Sequence, residues 1–112
     1  MVVKYADGTL YRIDLDGQAP EGRTITPITG ATVRLGARMT LDSGRLVVAD
    51  EEGVSVVELD DGAASGSVVA QIRDPSFRDA TSVVRVDDRY LVVNAAWNEP
   101  PPYTVSSVPA PA

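Results

Sequence analysis

Neither cysteine nor histidine occurs in this chain of 112 residues. Without cysteine there is no disulfide framework and no thiol chemistry, and redox usage says nothing about compartment. Without histidine, Ser-His-Asp and Cys-His nucleophilic arrangements, histidine-ligated zinc and histidine general bases are excluded. Aromatic residues make up only 5%, so a core must be built from valine, leucine and alanine. No apolar stretch approaches the ~20 residues of a membrane-spanning helix, and Met1-Val2-Val3-Lys4 is not a signal peptide. Positive charge is scarce, with 10 Lys and Arg against 16 Asp and Glu and a net charge of −6. A nucleic-acid partner needs a basic stripe and is not expected; the acidic balance favours solubility and leaves room for a cation.

What is present is a folded composition, 44% hydrophobic, arranged as a repeat 44 positions apart. Val2-Val3-Lys4-Tyr5 falls on Leu46-Val47-Val48-Ala49, and that segment falls on Tyr90-Leu91-Val92-Val93. Leu10, Ile13 and Leu15 fall on Val54, Val57 and Leu59, and Thr24, Ile25 and Ile28 fall on Val68, Val69 and Ile72. Met39 and Thr40 fall on Val83 and Val84. The segments between Gly, Asp and Pro turns are too short for helices. The continuous apolar runs 46–49 and 90–93 read as strands buried on both faces, and the mixed runs 9–15 and 53–59 as strands farther out in a sheet. A repeat of roughly 40–45 residues carrying about four strands is the mark of a β-propeller blade.

The expected fold class is therefore all-β, a partial β-propeller of about two and a half four-stranded antiparallel blades. With strands A to D counted outward from the channel, blade 1 (1–29) lacks strand A and blade 2 (30–73) is complete. Blade 3 (74–108) lacks strand D, and 109–112 is a Pro/Ala tail. Blade 2 should have A near 38–41, B at 45–49, C at 54–59 and D at 67–72; blade 1 should carry D near 23–28. The last C strand should run from Tyr103 to Val108, after an enlarged loop at 94–102. A blade cannot bury its faces alone. The expected partners are thus further blades missing on the N-terminal side, or a second copy of the chain.

The segments Gly8–Leu15, Gly44–Asp50 and Asp88–Ala95, with the ending Tyr103–Pro109, resemble the C-terminal blades of the senescence-marker/gluconolactonase/luciferin-regenerating-enzyme family. That resemblance implies a six-bladed ring and, in active members, metal-dependent hydrolysis of lactones, with calcium or another divalent cation held at the channel mouth by acidic and Asn side chains. The family commonly carries Pro-Asp-Gly-Met before an A strand, with the Asp a metal ligand. The matching stretch here is Gly36-Ala37-Arg38-Met39, so the ligand position is Ala37, which offers a hard cation no side-chain oxygen, and Arg38 would repel one.

In a propeller the D–A and B–C loops rim one mouth of the channel, here 6–8, 29–37, 50–53, 73–80 and 94–102. The candidate ligand-binding residues on those loops are Asp50, Glu51, Asn94, Trp97, Asn98 and Arg38. Asp50-Glu51-Glu52-Gly53 either supplies oxygens to calcium or is a solvated turn, and it matches no calcium-loop spacing. Asn94, at the position equivalent to Asp50, either bonds a ligand or caps its own turn. Trp97 with Asn98 either stacks on a sugar or lactone ring or covers the apolar end of the last blade. The pairs Asp60-Asp61 and Asp87-Asp88 read as turn formers. Asp74 and Asp79 with Arg73 and Arg78 read as a surface ion-pair network.

Three functions are expected from these residues. One is a non-catalytic or weakly active domain that binds a small polar or lactone ligand or serves as a scaffold, with no cofactor. The second is a metal-dependent sugar-lactone hydrolase fragment. The third is a half-propeller that closes a ring with a second copy. The lost ligand at Ala37 and the missing histidine favour the first.

Overall fold

The structure, a computed structural model, describes residues 2–4, 7–14, 24–95 and 104–111. Among the described residues ten strands follow one another: β1 (Val2–Val3), β2 (Thr9–Asp14), β3 (Thr24–Thr32), β4 (Gly36–Asp42), β5 (Arg45–Asp50), β6 (Gly53–Leu59), β7 (Gly66–Ile72), β8 (Ala80–Val86), β9 (Arg89–Asn94) and β10 (Thr104–Pro109). They form three antiparallel meanders in the orders β1-β2-β3, β4-β5-β6-β7 and β8-β9-β10. No helix occurs among the described residues. The fold is all-β and propeller-like: the complete middle sheet and the two three-stranded sheets are the blades that the repeat implied.

The period is written into the backbone as well as the side chains. Positive φ angles at Leu35 (60°) and Ser43 (49°) recur 44 residues later at Asp79 (53°) and Asp87 (54°). The pairing of β4 with β5 steps from Gly36↔Asp50 to Arg38↔Ala49, leaving Ala37 as the extra residue of a bulge. The pairing of β8 with β9 steps from Ala80↔Asn94 to Ser82↔Val93, leaving Thr81 in the same role. A bulge bends the strand and increases its twist, and both inner strands carry it at the equivalent position.

Burial explains the apolar runs. Alternate residues of a strand face opposite sides. Along β5, Leu46 and Val48 join Leu10, Ile28, Ala31, Val33 and Val57 in a core between blades 1 and 2. Val47 and Ala49 join Val54, Val56, Ala80, Val83, Tyr90, Val92 and Val108 in a second core between blades 2 and 3. All four β5 residues are at most 1% exposed. Blade 3 meets blade 2 through its inner strand, β8, which contacts β4, β5 and β6; blade 1 meets it through β1 on β4 and β3 on β7.

Several boundaries differ from the sequence expectation. β1 pairs Val3 with Leu10, whereas a strict 44-residue offset from Ala49↔Val54 would pair residue 5 with Leu10. A slip of two keeps every side chain on its face, which is why the apolar pattern did not reveal it. β3 extends to Thr32 because a three-residue irregularity separates the pairs Leu10↔Ile28 and Thr9↔Thr32. Within it, Thr29 leaves its own sheet and donates its N–H to the Ala64 carbonyl of blade 2 at 3.1 Å. At the other end β10 runs through Pro109, which pairs with Arg89, and Ala110 donates to Asp88 O at 2.8 Å. The Pro/Ala tail thus begins inside the last strand. Tyr103, the expected start of that strand, lies outside the described residues.

Tyr90 is the largest fully buried side chain, yet its hydroxyl has no hydrogen-bond partner among the described residues. Burial, followed by the nearby Asp42 carboxylate, pushes its pKa above the ordinary 10.0. An unpaired buried hydroxyl costs about 1–3 kcal/mol. Tyr90→Phe, which keeps the ring, is expected to raise the urea midpoint of unfolding, whereas Tyr90→Ala should lower that midpoint through a loss of about 3–5 kcal/mol of stability.

Candidate functional site

The turns fall where a propeller would place them. Loops 33–35, 51–52 and 73–79 lie at one end of the sheets, with Lys4, Asp7 and Gly8; the tight turns 43–44 and 87–88 and the loop 60–65 lie at the other. At the first end, β5 and β9 each finish on a polar residue that is almost completely buried: Asp50 at 3% exposure and Asn94 at 0%. Both were candidates from sequence, and they occupy equivalent positions in neighbouring blades.

Asp50 belongs to an exposed turn but is itself buried. Its Oδ1 accepts the main-chain N–H groups of Glu52 and Gly53, each at 2.8 Å, and its Oδ2 accepts the Ser55 hydroxyl at 3.0 Å. Only Glu51 and Glu52 are exposed. The carboxylate closes the two-residue β5–β6 turn as an Asx cap. Gly53 follows with φ +152°, and a Cβ there would run into the Ile72 carbonyl oxygen. Glycine is therefore required at this turn by both conformation and space.

Asn94 does a related job for the neighbouring blade. Its Oδ1 accepts the Arg78 N–H at 3.0 Å, and its Nδ2 donates to Thr104 Oγ1 at 3.1 Å and Ser106 Oγ at 2.9 Å. Ser106 in turn meets Ser76 Oγ at 2.7 Å, and Ser76 is held by Asp74 Oδ1 through its N–H at 2.9 Å and its hydroxyl at 2.7 Å. The main-chain N–H of Ser76, then its hydroxyl, holds the Asp74 carboxyl below the ordinary 3.8. Asn94 thus ties β9, β10 and the 73–79 loop together.

Ser55 and Ser106 are the counterparts of one another, since each sits across from the same position of its B strand: Ser55↔Val48 and Ser106↔Val92. Thr32 and Ser76 are likewise 44 residues apart. The two junctions nevertheless differ. Between blades 2 and 3 the 73–79 segment folds into a turn closed by Phe77 N–H on Asp74 O at 2.9 Å, and this brings Ser76 onto Ser106. Between blades 1 and 2 the corresponding segment takes another path: Thr32 pairs with Thr9, Val33 N–H bonds Gly8 O at 2.9 Å, and the turn comes later, at 34–35, closed by Gly36 N–H on Val33 O at 3.3 Å. A cleft of about 370 Å³ remains, lined by Thr32, Arg34, Asp50, Ser55, Gln71 and Arg73 together with Val33, Leu35 and Glu52. An ion pair at its rim joins Arg73 Nη2 to Glu52 Oε2 at 3.2 Å.

The remaining candidates are dispersed. Arg38 is exposed on β4, and Ala37, exposed at the bulge beside it, presents only a methyl group. Trp97 and Asn98 lie outside the described residues. Asp60 caps the 60–65 loop through Ala64 N–H at 2.9 Å and the Ser65 hydroxyl at 2.7 Å, which agrees with its reading as a turn former. Among the described residues no three acidic side chains converge to hold a metal ion. Ser55, Gln71 and Arg34 were not singled out from sequence. The one available signal was a serine interrupting the valine run 54–57.

Gly53→Ala is expected to destabilise the protein by about 1–3 kcal/mol from backbone strain alone, measured as a lower denaturant midpoint. On acidification, the stability that Asp74 contributes is present above pH 3.8 and is lost as pH falls through its lower folded value. Asp74→Asn should therefore flatten the acid limb of a stability–pH curve.

Comparison of the chain with protein-family models, with curated protein sequences and with solved structures finds no match in any of the three.

Proposed function

We propose that this chain is a non-catalytic binding and scaffold portion of a lactonase-like β-propeller, working by stacking its blades against further blades. One observation carries this reading. The face of blade 2 that receives blade 3 includes the cross-strand pair Ala49↔Val54, both 0% exposed. The equivalent pair on blade 3 is Val93↔Val105, again apolar, but 43% and 61% exposed. Val84, on β8 of the same blade, is 51% exposed. Contiguous apolar surface of this kind marks an interaction face. The sequence thus supplies a third blade prepared to be covered as the second is. The lack of an oxygen ligand at Ala37 supports binding rather than metal-dependent hydrolysis.

The test compares equivalent positions. Val105→Asp should change the melting temperature little, by the equivalent of about 0.5 kcal/mol. It should also abolish concentration-dependent association in sedimentation. Val54→Asp should cost more than about 4 kcal/mol, as an unpaired charge in the core. A wild-type chain that stays monomeric and binds no hydrophobic dye at high concentration would defeat the stacking role. Millimolar calcium should leave the melting temperature unchanged, with no turnover of simple sugar lactones; a metal-dependent shift accompanied by hydrolysis would move the reading to the enzyme.

A further inference from the structure

We infer that the cleft between blades 1 and 2 binds a small zwitterion carrying a primary ammonium group, of the free amino-acid class, with its ammonium on Asp50 and its carboxylate on Arg34. This goes beyond the scaffold role and stands on different residues. The cleft, about 370 Å³, falls within the range of about 300–1,000 Å³ usual for small-ligand sites.

At the end of a B strand the architecture requires a polar side chain that satisfies the neighbouring turn. At the blade 2–3 junction a neutral Asn94 satisfies its neighbours, and Ser76 fills the space beyond Ser106. At the blade 1–2 junction the same position holds a carboxylate instead. Asp50 is 3% exposed, accepts three hydrogen bonds, and has no cationic partner among the described residues. A buried charge is costly unless it is paired. A carboxylate offers about four lone-pair sites, so one acceptor direction remains on Oδ2, beside the Ser55 oxygen, in a residue that lines the cleft. The counterpart of Ser76 is Thr32, which lines the cleft without closing it.

The cations already present do not fill this need. Arg73 is engaged by Glu52 Oε2 at 3.2 Å and by the Ile72 carbonyl at 3.2 Å. The Arg34 side chain is exposed and has no ion-pair partner among the described residues. One unpaired anion at the floor and one unpaired cation on the wall complement a molecule bearing the opposite pair. A compact ammonium with three donors suits Asp50 Oδ2, Ser55 Oγ and the Gln71 amide oxygen. A planar guanidinium suits a carboxylate. With Glu52 already paired to Arg73, the oxygens of Asp50, Ser55 and Gln71 offer a single carboxylate and fall short of the six to eight ligands that calcium takes.

The experiment follows the Glu52 and Gly53 amide resonances, whose N–H groups bond Asp50, while glycine, ethylammonium, acetate or calcium is added to the whole chain. Glycine should shift both amides saturably, ethylammonium should do so more weakly, and acetate should not. Asp50→Asn, which copies the residue at the equivalent junction, should keep or raise the melting temperature while weakening glycine about 10–100-fold. Arg34→Gln should weaken glycine and leave ethylammonium unchanged. Equal affinity for glycine and ethylammonium would overturn the zwitterion assignment. Unchanged glycine binding in Asp50→Asn, absence of any amine effect, or a response to calcium alone would overturn the site. These outcomes are independent of whether blade 3 stacks on another blade.

Discussion

Two-sided burial of β5 is the constraint on which the rest depends. A strand of six residues sends Leu46 and Val48 to one core and Val47 and Ala49 to another, so the middle blade is the shared wall of both. Each fully buried aliphatic side chain contributes about 1.5–3 kcal/mol. The contributions on the two faces are not separable, because the backbone that presents one set presents the other. A polar residue at any of these four positions would face an apolar core. Blades 1 and 3, buried on one side only, draw their stability from contact with this wall.

The same geometry decides where chemistry can arise. At the end of a strand buried on both faces, the polar groups of the turn must be satisfied locally, and Asp50 and Asn94 do this with main-chain N–H groups and serine hydroxyls. The two solutions are equivalent in position and unequal in charge. A seven-residue segment, Arg73 to Asp79, folds over one of them; the matching segment, Thr29 to Leu35, is held to blade 1 by the pairing of Thr32 with Thr9 and leaves the other facing a cleft. The asymmetry therefore originates in backbone routing and is exploited by a single Asp-for-Asn difference.

Much of the architecture was legible in the sequence. The 44-residue period located the middle blade to within two residues at every strand end, because apolar runs and Asp/Gly turns are direct consequences of strand burial and chain reversal. The bulges at Ala37 and Thr81 were not legible, since one extra residue hardly disturbs an apolar pattern. The burial of Asp50 was hidden by its neighbours: an Asp-Glu-Glu-Gly string reads as solvated, and only the turn geometry separates the first carboxylate from the next two. Ser55 was hidden among valines, where its hydroxyl serves Asp50. The difference between the two junctions could not be read from one-dimensional spacing, because both linking segments have the same length.

Thr29 hydrogen-bonds the Ala64 carbonyl through its main-chain N–H, and Gly30 beside it approaches the Gly66 carbonyl so closely that a Cβ would not fit. The three-stranded first blade is thereby tied to its neighbour by peptide groups in addition to the apolar side chains of their shared core. Amide donors and acceptors survive almost every amino-acid exchange. This seam can consequently persist while the surface around it drifts, and its principal genetic vulnerability is proline at position 29 or loss of the glycine at position 30.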